Sequence, residues 1–156
     1  MYSSALWLHS LLRWAVLLAG LVAWFRAIGA KTAKRPWTPK DELWGLLLTI
    51  AADLQLLVGL VLYVFLSPIT RQGVRNFAAA MRSPVVRFFT VEHAVGMIIA
   101  IALIHVGRVK IRKAADPARK HQLAIIFFGI AMVVVIILIP WPFMPPPFVS
   151  RPLLRP

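Results

Sequence analysis

Four runs of about twenty predominantly apolar residues each fill most of this chain, and short basic or proline-marked segments separate them. A helix of that length spans a hydrocarbon core of about 30 Å and satisfies its own backbone polar groups inside it. With 60% of 156 residues hydrophobic, little chain remains for a separate soluble domain. The expectation is an all-α integral membrane protein: an up-down-up-down bundle of four transmembrane helices at about 4–28, 39–66, 84–110 and 117–139. A short interfacial helix precedes the third span, and an apolar, Pro-rich tail at 140–156 follows the fourth. Met1 to Trp7 holds no Lys or Arg, and no small-residue cleavage site follows a short apolar core. The first span is therefore read as a retained helix rather than a signal peptide.

Helix starts are well marked. Thr38-Pro39, Ser83-Pro84 and Asp116-Pro117 each place a capping side chain before a proline at the first helical position. Between the second and third spans, Val74, Phe77 and Met81 fall on one side of a helical projection and Arg71, Arg75 and Arg82 on another, as suits a helix lying on a membrane surface. An ordinary loop with scattered Arg is the alternative. The tail is expected to dock across a protein surface, its own or a partner's, with disorder as the alternative.

The formal net charge is +13. Basic residues flank apolar helices and build no soluble basic face, so the charge is topological and argues against nucleic-acid binding. Calling the N-terminal end of the first helix side A, loops one and three and their flanks lie on side B with eleven basic residues, among them Lys31, Lys34, Arg35, Lys110, Arg112 and Lys113. Side A has six: Arg71, Arg75, Arg82, Arg87, Arg151 and Arg155. The positive-inside bias places side B in the cytoplasm of a bacterial-type inner membrane and both chain ends in the periplasm.

Ionisable side chains inside such spans are costly and mark function. The run Arg87 to Arg108 carries Glu92, His93 and His105; His9 and His121 lie on the first and fourth spans, and Asp53 sits near the middle of the second. Alternating helix direction brings His9 level with His93 towards side A, and His105 level with His121 towards side B. Arg13, one turn below His9, is expected to pair with Asp53 or Glu92. With no cysteine, disulfides, Cys-ligated zinc, iron–sulfur clusters and covalent c-type haem are excluded.

Neutral imidazole ligates haem iron well, and two axial His form a low-spin centre suited to electron transfer. The four histidines are the candidate iron ligands for one or two haem b groups. Arg13, Arg87, Arg108 and Lys120 are the candidate partners of the propionates, and Glu92 is the candidate acceptor of a quinol proton. The alternatives are structural: hydrogen-bonded His packing the bundle, His121 as an interfacial residue, and Glu92 paired to Arg13 or Arg87. Gly96 and Gly107 could admit a porphyrin face or simply a neighbouring helix. His93 and His105 are twelve residues apart, about 18 Å along a helix axis but turned about 120° from each other. They cannot serve one groove, and this weighs against a second haem.

His9, His93 in Phe88-Phe-Thr-Val-Glu-His93, His105 in Ile104-His-Val-Gly-Arg108, and His121 in Lys120-His121 together give a pattern that resembles the four-helix, membrane-embedded b-type cytochromes. The resemblance covers the bundle at the level of architecture. It implies haem held by paired His and electron transfer in a respiratory or photosynthetic chain, with lipid, protein partners and quinone around it. The twelve-residue spacing departs from the near-same-face spacing of diheme members. The competing expectation is a non-catalytic accessory subunit of a larger energy-transducing membrane complex. No nucleophile motif or phosphate loop points to a hydrolase or transferase.

Overall fold

A computed structural model describes residues 1–146 and 148–154; Pro147, Arg155 and Pro156, which belong to the tail, lie outside the described residues. The described residues form helices and no strand. In chain order the helices are α1 (Tyr2–Thr32), α2 (Pro39–Val61), α3 (Pro68–Arg75), α4 (Phe77–Arg82), α5 (Pro84–Arg87), α6 (His93–Lys113) and α7 (Pro117–Leu138). Two wide π-helical turns, Leu62–Leu66 and Phe88–Glu92, join α2 to the loop before α3 and α5 to α6. Four continuous helices are long and apolar enough to cross a membrane: Tyr2–Thr32, Pro39–Leu66, Pro84–Lys113 and Pro117–Leu138. The segment read from sequence as one surface helix is two short ones, α3 and α4, broken at Asn76, whose side chain caps α4 by accepting from the Ala79 N–H.

The spanning helices form a ring in which α1 touches α2 and α7, and α6 touches α2 and α7. Neighbours run antiparallel. Arg26 near the end of α1 meets Asp41 at the start of α2, while His9 near the start of α1 meets Gln55. Gly107, late in α6, packs on Phe127, early in α7, and His93 at the start of α6 meets Leu138 at the end of α7. Small residues let the backbones close: Ala19, Ala23 and Ala27 line the buried face of α1 at helical spacing and share one apolar core with Phe128, Met132 and Val135 of α7. Gly96 and Gly107 both face α7, through Leu138 and Phe127 respectively, which is the close helix packing that small residues allow.

Of the three proline-led starts read from sequence, two are capped by side chains, and a fourth, Pro68 of α3, is capped by Ser67. Asp41 accepts from both the N–H and the hydroxyl of Thr38, and Asp116 accepts from the Ala118 and Arg119 N–H groups. Ser83 precedes Pro84 without a side-chain cap. Asp41 also receives Arg26 at 2.8 Å and Arg35 at 3.4 Å, and its side chain is almost fully enclosed. One carboxylate thus ends a loop, starts a helix and ties that start to α1. Replacing it with alanine removes a cap and two charge-assisted bonds. Asp41→Ala is expected to destabilise the folded protein by about 2–3 kcal/mol, read as a lower thermal unfolding midpoint in detergent, with Asp41→Asn losing less.

Candidate functional site

The site lies towards the end of the bundle where α1 begins and α2 finishes. His9 and His93 face each other there with ring centroids 6.3 Å apart and planes inclined by 66°. His93 Nδ1 donates to the Leu138 carbonyl at 2.9 Å, which fixes the tautomer and leaves Nε2 as the basic nitrogen. His9 Nε2 lies 3.2 Å from the Gln55 amide nitrogen. Gly59 makes room for the His9 ring: a Cβ there would stand 3.3 Å from its Cε1. Phe88 and Phe89 pack around His93, with ring centroids 5.8 and 6.2 Å from it.

The two π turns support this geometry from behind. A π turn shifts the helical hydrogen-bond register and leaves a carbonyl in need of another donor. The Tyr63 hydroxyl, in the first π turn, donates to the Thr90 carbonyl in the second at 2.9 Å, and the Thr70 hydroxyl donates to the Tyr63 carbonyl at 2.8 Å. The turn that delivers His93 is therefore pinned to α2 and, through Thr70, to α3.

A mostly apolar cavity of about 380 Å³ opens beside the histidine pair, and His9, Arg13, Gln55, Gly59, Thr90 and His93 are among its walls. That volume falls in the range of about 300–1,000 Å³ usual for small-molecule and cofactor sites. Buried side-chain polar atoms rarely go without a partner. Six do so among the described residues, and four of them, His9 Nδ1, Arg13 Nε, Gln55 Oε1 and Thr90 Oγ1, belong to residues of this one wall. The tail closes over the cavity. Arg13 donates to the Leu153 carbonyl, the Arg151 guanidinium lies 5.4 Å from the Phe89 ring centroid, and the Trp141 indole N–H donates to the Ile136 carbonyl. Ile139, Pro140, Arg151 and Pro152 complete the lining.

The other expected site residues lie elsewhere. His105 donates to Asp53 at 2.7 Å on the outer side of the ring, with each side chain nearly half exposed. Asp53 thus meets His105 rather than Arg13, because the two groups that share a depth point in different directions. His121 is fully buried against Trp37, with its Nε2 donating to the Arg35 carbonyl. Its ring is engaged by loop one rather than by His105. Arg108 pairs with Glu42 at 2.6 Å, and Arg87 with Glu92 at 2.7 Å, the latter pair on the surface. Lys120 is half-buried on the first turn of α7, one residue from His121. Sequence reasoning missed Gln55, Gly59, Tyr63, Thr90 and Arg151 as parts of this site; only Gln55, as a polar residue inside an apolar run, left a signal.

No group of three or more His, Cys, Asp or Glu side chains able to hold a bare metal ion occurs among the described residues. In comparisons with known proteins, the chain matches no family model, no curated protein and no solved structure.

Tyr63→Phe removes the donor to a carbonyl freed by the π turn. It is expected to cost about 1 kcal/mol, seen as a thermal midpoint lower by roughly 2–4 °C with the helical circular dichroism unchanged.

Proposed function

We propose that this protein is a small b-type membrane cytochrome that carries electrons through one haem held by His9 and His93. The observation that carries the reading is the pair of imidazoles, ring centroids 6.3 Å apart, beside a cavity whose wall holds four unpartnered polar atoms. Haem would supply a one-electron iron centre. The chain's own residues do the rest. The Leu138 carbonyl orients His93 and strengthens its free nitrogen as a ligand, and Gly59 leaves space for the His9 ring. Arg13, whose Nε has no partner among the described residues, presents a cation to an acidic edge in the cavity. The aliphatic lining excludes water and holds the potential of a bound centre away from that of an exposed one. Glu92, next to His93 and ion-paired to Arg87, is the carboxylate assigned to a quinol proton.

A second haem at His105 and His121 has less support. One ring is committed to Asp53 and the other to the Arg35 backbone. Arg108, assigned from sequence to a propionate, is held by Glu42. The reading is therefore of one haem per chain.

The bundle is proposed to lie in a bacterial-type inner membrane, with the basic loops in the cytoplasm and both chain ends in the periplasm, on the strength of the basic-residue asymmetry. Alkaline phosphatase fused after Leu138 is expected to be active in cells, and the same enzyme inserted after Lys34 inactive; the reverse pattern would invert the topology.

The spectroscopic test is direct. The purified protein is expected to show the reduced-minus-oxidised bands of b-type haem. His93→Ala should abolish them, and His121→Ala should leave them in place. A colourless protein with full helical content would remove this reading and leave the accessory-subunit one.

A further inference from the structure

The Asp53–His105 pair does not belong to the cavity. Asp53 lies at the middle of the Pro39–Leu66 span and His105 well inside the Pro84–Lys113 span. Their side chains are 46% and 47% exposed on the outside of the ring, where α2 meets α6. A carboxylate and an imidazole facing hydrocarbon are far costlier than the same pair covered by protein, so polar groups at this depth mark a face that another helix covers. The bond between them uses His105 Nε2 and Asp53 Oδ1. His105 Nδ1 and Asp53 Oδ2 have no partner among the described residues.

We propose that the α2–α6 face is a two-fold interface between two copies of this chain, centred on Asp53 and His105. Chains inserted in the same sense associate about an axis along the membrane normal, and such an axis keeps every residue at its own depth. Asp53 of one copy therefore stands level with His105 of the other. The patch is self-complementary: each copy offers one unused carboxylate oxygen and one unused imidazole nitrogen, so with both imidazoles doubly protonated each Nδ1–H donates to the other copy's Asp53 and two crossed, charge-assisted bonds close the network. A different subunit would need both a donor and an acceptor at this same depth, whereas a second copy supplies them by symmetry. The flanks suit close approach. Ala102, one turn before His105, is small and exposed, and Leu57, one turn beyond Asp53, is exposed and aliphatic.

The interface is independent of what fills the cavity and rests only on the membrane placement, which the phosphatase fusions test separately. The chain has no cysteine, so one introduced thiol is unique. In native membranes treated with mild oxidant, Ala102→Cys and Leu57→Cys are expected to shift the chain to twice its mass. Phe25→Cys, exposed on α1 across the ring from α6, is expected to stay at single mass. In lipid nanodiscs, wild type should show two chains by native mass spectrometry, and the Asp53→Leu, His105→Leu double variant one. Single-mass bands for both Ala102→Cys and Leu57→Cys, or cross-links joining them to a different protein, would overturn the proposal.

Discussion

Carboxylates are scarce in this chain, five against eighteen Lys and Arg, and each is engaged. Asp41 gathers Arg26, Arg35 and Thr38; Glu42 holds Arg108 and accepts from Trp37; Asp53 takes His105; Glu92 takes Arg87; Asp116 caps α7. Where charged groups leave water, an uncompensated one is expensive, so these pairings decide which helix ends come together. Asp41 and Glu42, adjacent in sequence, reach in two directions, one to α1 and the other to α6. They bind three of the four spanning helices at the loop end before the apolar core contributes anything specific. At the opposite end, among the described residues, no carboxylate ties one helix to another. Backbone carbonyls take over: those of Tyr63, Thr90, Leu138 and Leu153 receive Thr70, Tyr63, His93 and Arg13.

That asymmetry explains why the cavity lies where it does. The end tied by ion pairs is filled by Leu48, Ile111 and Phe128. The other end is widened by two π turns, and its polar side chains point inward without enough partners among themselves. Among the described residues Arg13 meets no carboxylate: Asp41, Glu42, Asp53, Glu92 and Asp116 are engaged elsewhere.

Depth was legible from sequence and direction was not. Counting residues along each apolar run set His9 level with His93, since turn length alone fixes rise. The same count set Arg13 near Asp53, yet Asp53 points out of the ring while Arg13 points in. Twelve residues between His93 and His105 did announce their divergence, because rotation within one helix follows from spacing. The prolines and their caps marked three helix starts, a local signal that tertiary contacts rarely override. The π turns carry no comparable signature. They arise where Tyr63 and Thr70 can satisfy the displaced carbonyls, a long-range condition that no local pattern encodes. The tail's return over the cavity likewise depends on Trp141 finding the Ile136 carbonyl and on Arg13 finding Leu153.

The central claim is that one pair of imidazoles, His9 and His93, grips a single iron porphyrin. Electron paramagnetic resonance of the oxidised, purified protein tests it most directly, because two nitrogen axial ligands give a low-spin ferric signal that can be quantified per chain. The account predicts one such species, equal to one per chain. A high-spin signal, two low-spin species, or no iron signal from well-folded protein would contradict it.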